Sequence, residues 1–127
     1  MNADESVLSQ VSERIIGGAF TVANTLGSGF LEKVYENALA HELRSRGLPV
    51  AQQQGVVVCY NGIVVGEYTA DLVVDGSVIV ELKAVRALDN VHRAQCMNYL
   101  RASGLRLCLL LNFGRPRLEI VRIVHEL

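Results

Sequence analysis

The chain has 127 residues, half of them apolar and a fifth charged, which excludes a disordered tail or linker and suits one domain spanning residues 1–127. No apolar run approaches the roughly 20 residues needed to cross a bilayer, and the acidic, polar opening MNADESVLSQ is unlike a secretory signal, so a cytoplasmic protein without membrane contact is expected. The net charge of −1 argues against indiscriminate binding to nucleic acid, yet residues 1–83 carry 10 acids against 5 bases and residues 84–127 carry 7 arginines against 3 acids, an asymmetry that permits an acidic metal pocket beside an arginine-bearing face.

The first element is a helix from Ser6 to about Thr25, with Val7, Val11, Ile15, Ala19 and Val22 at helical spacing and Ser6 as the expected N-cap. The glycines of LGSGF at 26–30 break it. A second helix follows from about Leu31 to Arg46, stopped by Gly47 and Pro49. The texture then turns to β. Residues 50–60 end in a β-branched run, and Asn61-Gly62 is the dipeptide favoured where both central residues of a turn need positive φ. Ile63 to Val74 is the return strand, Asp75-Gly76 a second such turn, and Ser77 to Ala84 a third strand of an antiparallel meander. After a connection at 85–90, a helix from Val91 to Ser103 closes at Gly104. Leu105 to Asn112 reads as a strand covered on both faces, and Leu118 to Val124 as the last strand. The expected class is α/β with a mixed sheet, in the order α-α-β-β-β-α-β-β.

The sharpest chemical feature lies in the meander. Glu81 and Lys83 are two apart on a strand and so share a face, while Val80, Leu82 and Ala84 turn the other way. With the turn at Asp75-Gly76, residue 71 falls opposite about residue 80, so Asp71 sits within one register step of Glu81. Two adjacent carboxylates repel unless a cation lies between them, and a hard ion such as Mg²⁺ accepts oxygen ligands. That ion can polarise a phosphodiester, and a lysine can orient or deprotonate the attacking water. Taken alone, Glu81 and Lys83 are equally well explained as a cross-strand ion pair on a solvated face. The apolar strand SVIVELKAV is a costly place for such a pair.

Two further sets lie nearby in the predicted order. Gln95 and Tyr99 stand one turn apart on the third helix and can point back at the carboxylates. Glu32 and Glu36 stand one turn apart after the glycine-rich break, although Glu32 in a first turn also suits the helix dipole. Cys59, Cys96 and Cys108 are isolated among apolar neighbours and read as small buried hydrophobes. Neither His41 nor His125 has a partner at metal-ligand spacing, whereas His92 lies one turn before Gln95 and Cys96.

Gly29-x-x-Glu32-x-x-Tyr35, Asp71, Glu81-Leu82-Lys83, Gln95-x-x-x-Tyr99 and LLNFG at 110–114 together resemble the GxxExxY family of the PD-(D/E)xK nuclease superfamily. The resemblance runs from about residue 10 to the C-terminus. Ala70 stands where the superfamily signature has proline, a position known to vary. The resemblance implies a restriction-endonuclease-like core and a metal-dependent nuclease, with Mg²⁺ or Mn²⁺ as cofactor and DNA or, less often, RNA as substrate. It implies Glu32 as the helix-borne acid and a metal ligand with Asp71 and Glu81, Lys83 as the catalytic lysine, and Gln95 and Tyr99 as supporting helix residues. Arg86, Arg93 and Arg101 are the expected phosphate contacts. A catalytically silent binding or assembly module on the same fold is the competing reading, and a homodimer suits either.

Overall fold

The computed structural model describes residues 3–126. Two helices, α1 (Ala3–Leu26) and α2 (Glu32–Ser45), precede three strands, β1 (Val50–Tyr60), β2 (Ile63–Val74) and β3 (Val78–Lys83). Helix α3 (Asn90–Ser103) leads to β4 (Leu107–Asn112) and β5 (Glu119–Val124). The five strands form one sheet in the order β1-β2-β3-β4-β5, antiparallel except where β4 runs parallel to β3 after the α3 crossover.

Both hairpin turns form at their predicted dipeptides, but the first closes Tyr60↔Ile63 across two residues while the second leaves Ser77 as a third loop residue before Val78, which moves the β2–β3 register one residue from the expected opposition of 71 and 80. Asn61 and Gly62 have φ of 50° and 77°, and Asp75 and Gly76 have 54° and 61°, the left-handed conformations of a type I′ turn. That second turn sets the register Val74↔Val78, Val73↔Ile79 and Leu72↔Val80, which places Asp71 opposite Glu81.

The sheet is covered on both faces. Leu72, Val80, Leu82, Leu109 and Leu111 pack with α1 and α2, while Ile79, Cys108 and Leu110 pack with α3. Strand β3 is central and β4 is wholly buried. Close approach of the first two helices needs Gly18, where a Cβ would stand 2.8 Å from Leu43 Cδ2.

Several boundaries differ from the sequence reading. Helix α1 already includes Ala3, so Ser6 lies inside it and caps nothing. Asp4 and Glu5 occupy its first turn, where the helix dipole favours acids. Helix α3 is capped by Asp89, whose carboxylate accepts from the Val91 and His92 N–H groups. His92 Nδ1 in return accepts from Asp89 N–H. That reciprocal cap occupies His92, the histidine that spacing alone left open.

Candidate active site on the β2–β3 hairpin

The regular ladder between β2 and β3 ends at Leu72↔Val80. One residue further on, carboxylates replace carbonyls as the acceptors. Asp71 N–H donates to Glu81 Oε2 at 2.9 Å, and Leu82 N–H donates to Asp71 Oδ2 at 2.9 Å. Each acid thus holds the main chain of the opposite strand, which fixes both side chains on the face turned to α3. Glu81 is 3% exposed and Asp71 is half-buried.

No cation of the chain balances this pair. Among the described residues no lysine, arginine or histidine lies within 4 Å of either carboxylate, and Lys83, half-buried on the same side of β3, is in no ion pair. The cross-strand ion pair that competes with a site in the sequence is therefore not formed. Burial, and next the charge of Asp71, push the Glu81 carboxyl up from 4.5 to about 9. A negative, desolvated oxygen pair without a counter-charge fits a hard divalent cation.

Helix α3 closes the site from above. Gln95 Nε2 donates to Tyr99 Oη at 2.9 Å, and Tyr99 is nearly buried. Burial and then the nearby Glu81 push the Tyr99 phenol up to about 12, partly offset by the Gln95 hydrogen bond. The Tyr99 ring lies 5.6 Å from that of Tyr68 on β2, tilted by 59°. Cys96 and Cys108, both buried, belong with Tyr99 to the same apolar cluster.

The acids of α2 stand elsewhere. Glu32 is exposed in the first turn. Glu36 is nearly buried, and its carboxylate accepts from Lys33 Nζ at 3.0 Å, Gln52 Nε2 at 2.8 Å and Gln53 Nε2 at 2.7 Å. Gln53, at φ 53°, lies between the pairs Gln52↔Leu72 and Gln54↔Ala70, level with Asp71 on the next strand. Of the two acids, Glu36 is thus the one tied to the sheet at the level of the site. Among the described residues no three His, Cys, Asp or Glu side chains gather closely enough to hold a metal ion, so Asp71 and Glu81 stand as a pair that neither α2 acid joins.

Sequence reasoning assigned no role to the residues that hold the end of β3. Asn112 is fully buried and uses its whole amide: Oδ1 accepts from Val85 and Gly114 N–H, and Nδ2 donates to Val85 O and Glu119 Oε1. Phe113 N–H donates to Lys83 O at 2.8 Å. The Phe113 ring stacks on Tyr35 at 4.7 Å, and Tyr35 Oη donates to Gly27 O and accepts from Phe30 N–H. The tyrosine of G-x-x-E-x-x-Y and the LLNFG segment are therefore one brace that holds the glycine loop and the Lys83 strand end together. The signal was present in those motifs, but Tyr35 and Phe113 are 78 residues apart in sequence and only the fold joins them.

Arg86 in the connection after β3, and Arg93 and Arg101 on α3, are exposed and in no ion pair among the described residues.

The sequence pattern of the PD-(D/E)XK nuclease superfamily matches residues 9–123. Among solved structures, one described as the crystal structure of SSO0001 superposes with a TM-score of 0.59 at 18% identity, over 94% of this chain. The chain spans 59% of that structure's length, and the likeness is one of fold. No curated protein matches.

Proposed function

The chain belongs to the PD-(D/E)XK nuclease superfamily and has its restriction-endonuclease-like fold, and we propose that it is a metal-dependent phosphodiesterase of the GxxExxY type acting on nucleic acid, DNA in the first place. The observation that carries this reading is the pair of a buried Glu81 and a half-buried Asp71, with no cation within 4 Å among the described residues. Asp71 and Glu81 would hold Mg²⁺ or Mn²⁺, which when bound supplies Lewis-acid stabilisation of a phosphodiester. Lys83, on the same side of β3 as Glu81 and in no ion pair among the described residues, would orient the attacking water through its ammonium group. Tyr99 and Gln95 fix the α3 side of the pocket, and Glu32 is a solvent-exposed acid in the first turn of α2.

Plasmid cleavage with Mg²⁺ or Mn²⁺ tests the reading. Asp71→Ala is expected to lower the rate by roughly 1,000-fold, as removal of a group that stabilises transition-state charge does. Equal cleavage by the variant and the wild type would refute it.

A second reading, a nuclease fold kept for binding alone, draws on the hydrogen bonds of both carboxylates to main-chain N–H groups and on the lack of a third acid beside them. It predicts no cleavage by the wild type under any divalent metal.

Binding to nucleic acid should also weaken with salt. If Arg86, Arg93 and Arg101 contact phosphates, the slope of log affinity against log salt lies between about −2 and −3. The triple alanine variant should approach zero slope, and an unchanged slope would remove these arginines from the interface.

A further inference from the structure

The β1–β2 hairpin and helix α3 enclose a cleft of about 520 Å³ lined by Val58, Val65, Tyr68, Asn98 and Arg101. Tyr68 and Asn98 also line a second hollow of about 340 Å³ that reaches Gln95 and Tyr99, so the two adjoin at these residues. The inner hollow is lined by Tyr99, which packs with Ile79 on the face of β3 that also carries Glu81. At the outer end is Arg101, exposed and without a carboxylate partner among the described residues.

We propose that this cleft binds a single strand of nucleic acid and feeds it to the Asp71–Glu81 pair, with Tyr68 as the platform on which a base stacks. The proposal rests on the nuclease reading for its direction, from Arg101 inward, and adds the substrate class to it. The Tyr68 side chain is 47% exposed, although one side of its ring meets Tyr99. Such a ring offers an apolar face to a base, and a base face is free only where a strand is unpaired. The cleft has the size of a small-ligand pocket, enough for about one or two nucleotides and too small for a double helix.

Charge complementarity points the same way. Residues 50–70, which form the hairpin wall, contain only one charged side chain, Glu67, so almost nothing there repels phosphate. The opposite wall on α3 carries Arg101 together with the amides of Asn98 and Gln95. An aromatic platform beside an unpaired guanidinium is the combination that binds single strands without strong sequence preference.

Fluorescence anisotropy of a labelled strand of about 15 nucleotides, alone or annealed to its complement, tests this in EDTA, where cleavage does not intervene. The single strand is expected to bind the wild type at least tenfold more tightly than the duplex. Tyr68→Ala should weaken strand binding by roughly tenfold or more, while Tyr68→Phe, which keeps the ring, stays within about twofold. Arg101→Ala should reduce the salt slope by about 0.7, the share of one phosphate on a single strand. Equal affinity for duplex and strand, or no effect of Tyr68→Ala, would overturn the proposal. So would a wild-type dimer that Tyr68→Ala dissociates without loss of strand affinity, which would assign the face to a second copy. Tyr68-dependent strand binding without Asp71-dependent cleavage would leave the cleft standing and refute the catalytic reading. Asp71-dependent cutting of duplex, indifferent to Tyr68, would do the reverse.

Discussion

Glu81→Gln is expected to bind Mn²⁺ about 100-fold or more weakly than the wild type, and yet to melt higher than the wild type in EDTA at pH 8. The two effects share one cause. Burial and the Asp71 charge raise the Glu81 carboxyl from 4.5 to about 9, so at pH 8 the metal-free folded protein keeps a proton that the unfolded chain releases. A raised folded-state value means that the contribution to stability is complete below about pH 4.5 and is lost progressively as pH climbs towards 9. Glutamine mimics the protonated acid: its carbonyl can still accept from Asp71 N–H, and its amide can face the Asp71 carboxylate. The variant is therefore spared a penalty on the order of a few kcal/mol at pH 8, or roughly 5 °C or more in Tm. At pH 5 the two curves should converge. Added Mn²⁺ should reverse the order at pH 8, because ligand binding stabilises only the protein that holds it. Thermal melts at pH 5 and pH 8, with and without metal, check every part. A variant less stable than the wild type in EDTA at pH 8 would mean that Glu81 is ionised and matched by a partner in the folded state.

Gly114→Ala is expected to cost about 3 kcal/mol or more of folding stability, among the largest effects of a single methyl group in this chain. A Cβ at Gly114 would run into Val85 N and Val85 O and would stand 2.6 Å from Ala84 C. These are main-chain atoms just after Lys83 and cannot swing aside as a side chain could. Relief of the clash requires moving either the β3 end or the β4 end, and both are held by Asn112 and by Phe113 N–H on Lys83 O. Gly62→Ala is the control. Gly62 has positive φ, at 77°, as Gly114 does not, and a Cβ there meets nothing within 4 Å, so about 1 kcal/mol is expected from backbone conformation alone. Urea midpoints for both variants provide the comparison. Equal losses would show that the brace tolerates displacement and that Lys83 is not held by it.

Turn chemistry made most of the sheet legible in advance. Asn61-Gly62 and Asp75-Gly76 each demand a two-residue turn, and a two-residue turn fixes register. From there the register was legible to within one residue: a two-residue loop at 75–76 sets Asp71 opposite Val80, and Ser77 as a third loop residue moves Asp71 to Glu81, which alternation puts on the same side as Lys83. The parallel β3–β4 pairing could be reached through the intervening helix and the unbroken apolar run of β4. What depended on distance in sequence could not be read. Glu36 rather than Glu32 is anchored to the sheet because Gln53 takes a left-handed conformation and its amide, with that of Gln52, reaches across to α2, and no local pattern signals a glutamine with positive φ inside a strand. Asn112 looks like the polar end of an apolar strand until Val85 is seen to need both its donor and its acceptor. The cap on α3 was missed because its partner at the third helical position is histidine and not the glutamate or glutamine that usually marks the motif.

A crystal soaked in Mn²⁺ and measured at the manganese absorption edge bears most directly on the claim that Asp71 and Glu81 form a metal site. The account predicts an anomalous peak touching one oxygen of each carboxylate, at roughly 2.0–2.2 Å, and none in Asp71→Ala. An empty pair at saturating Mn²⁺, with the Asp71 and Glu81 hydrogen bonds to the main chain unchanged, would contradict it.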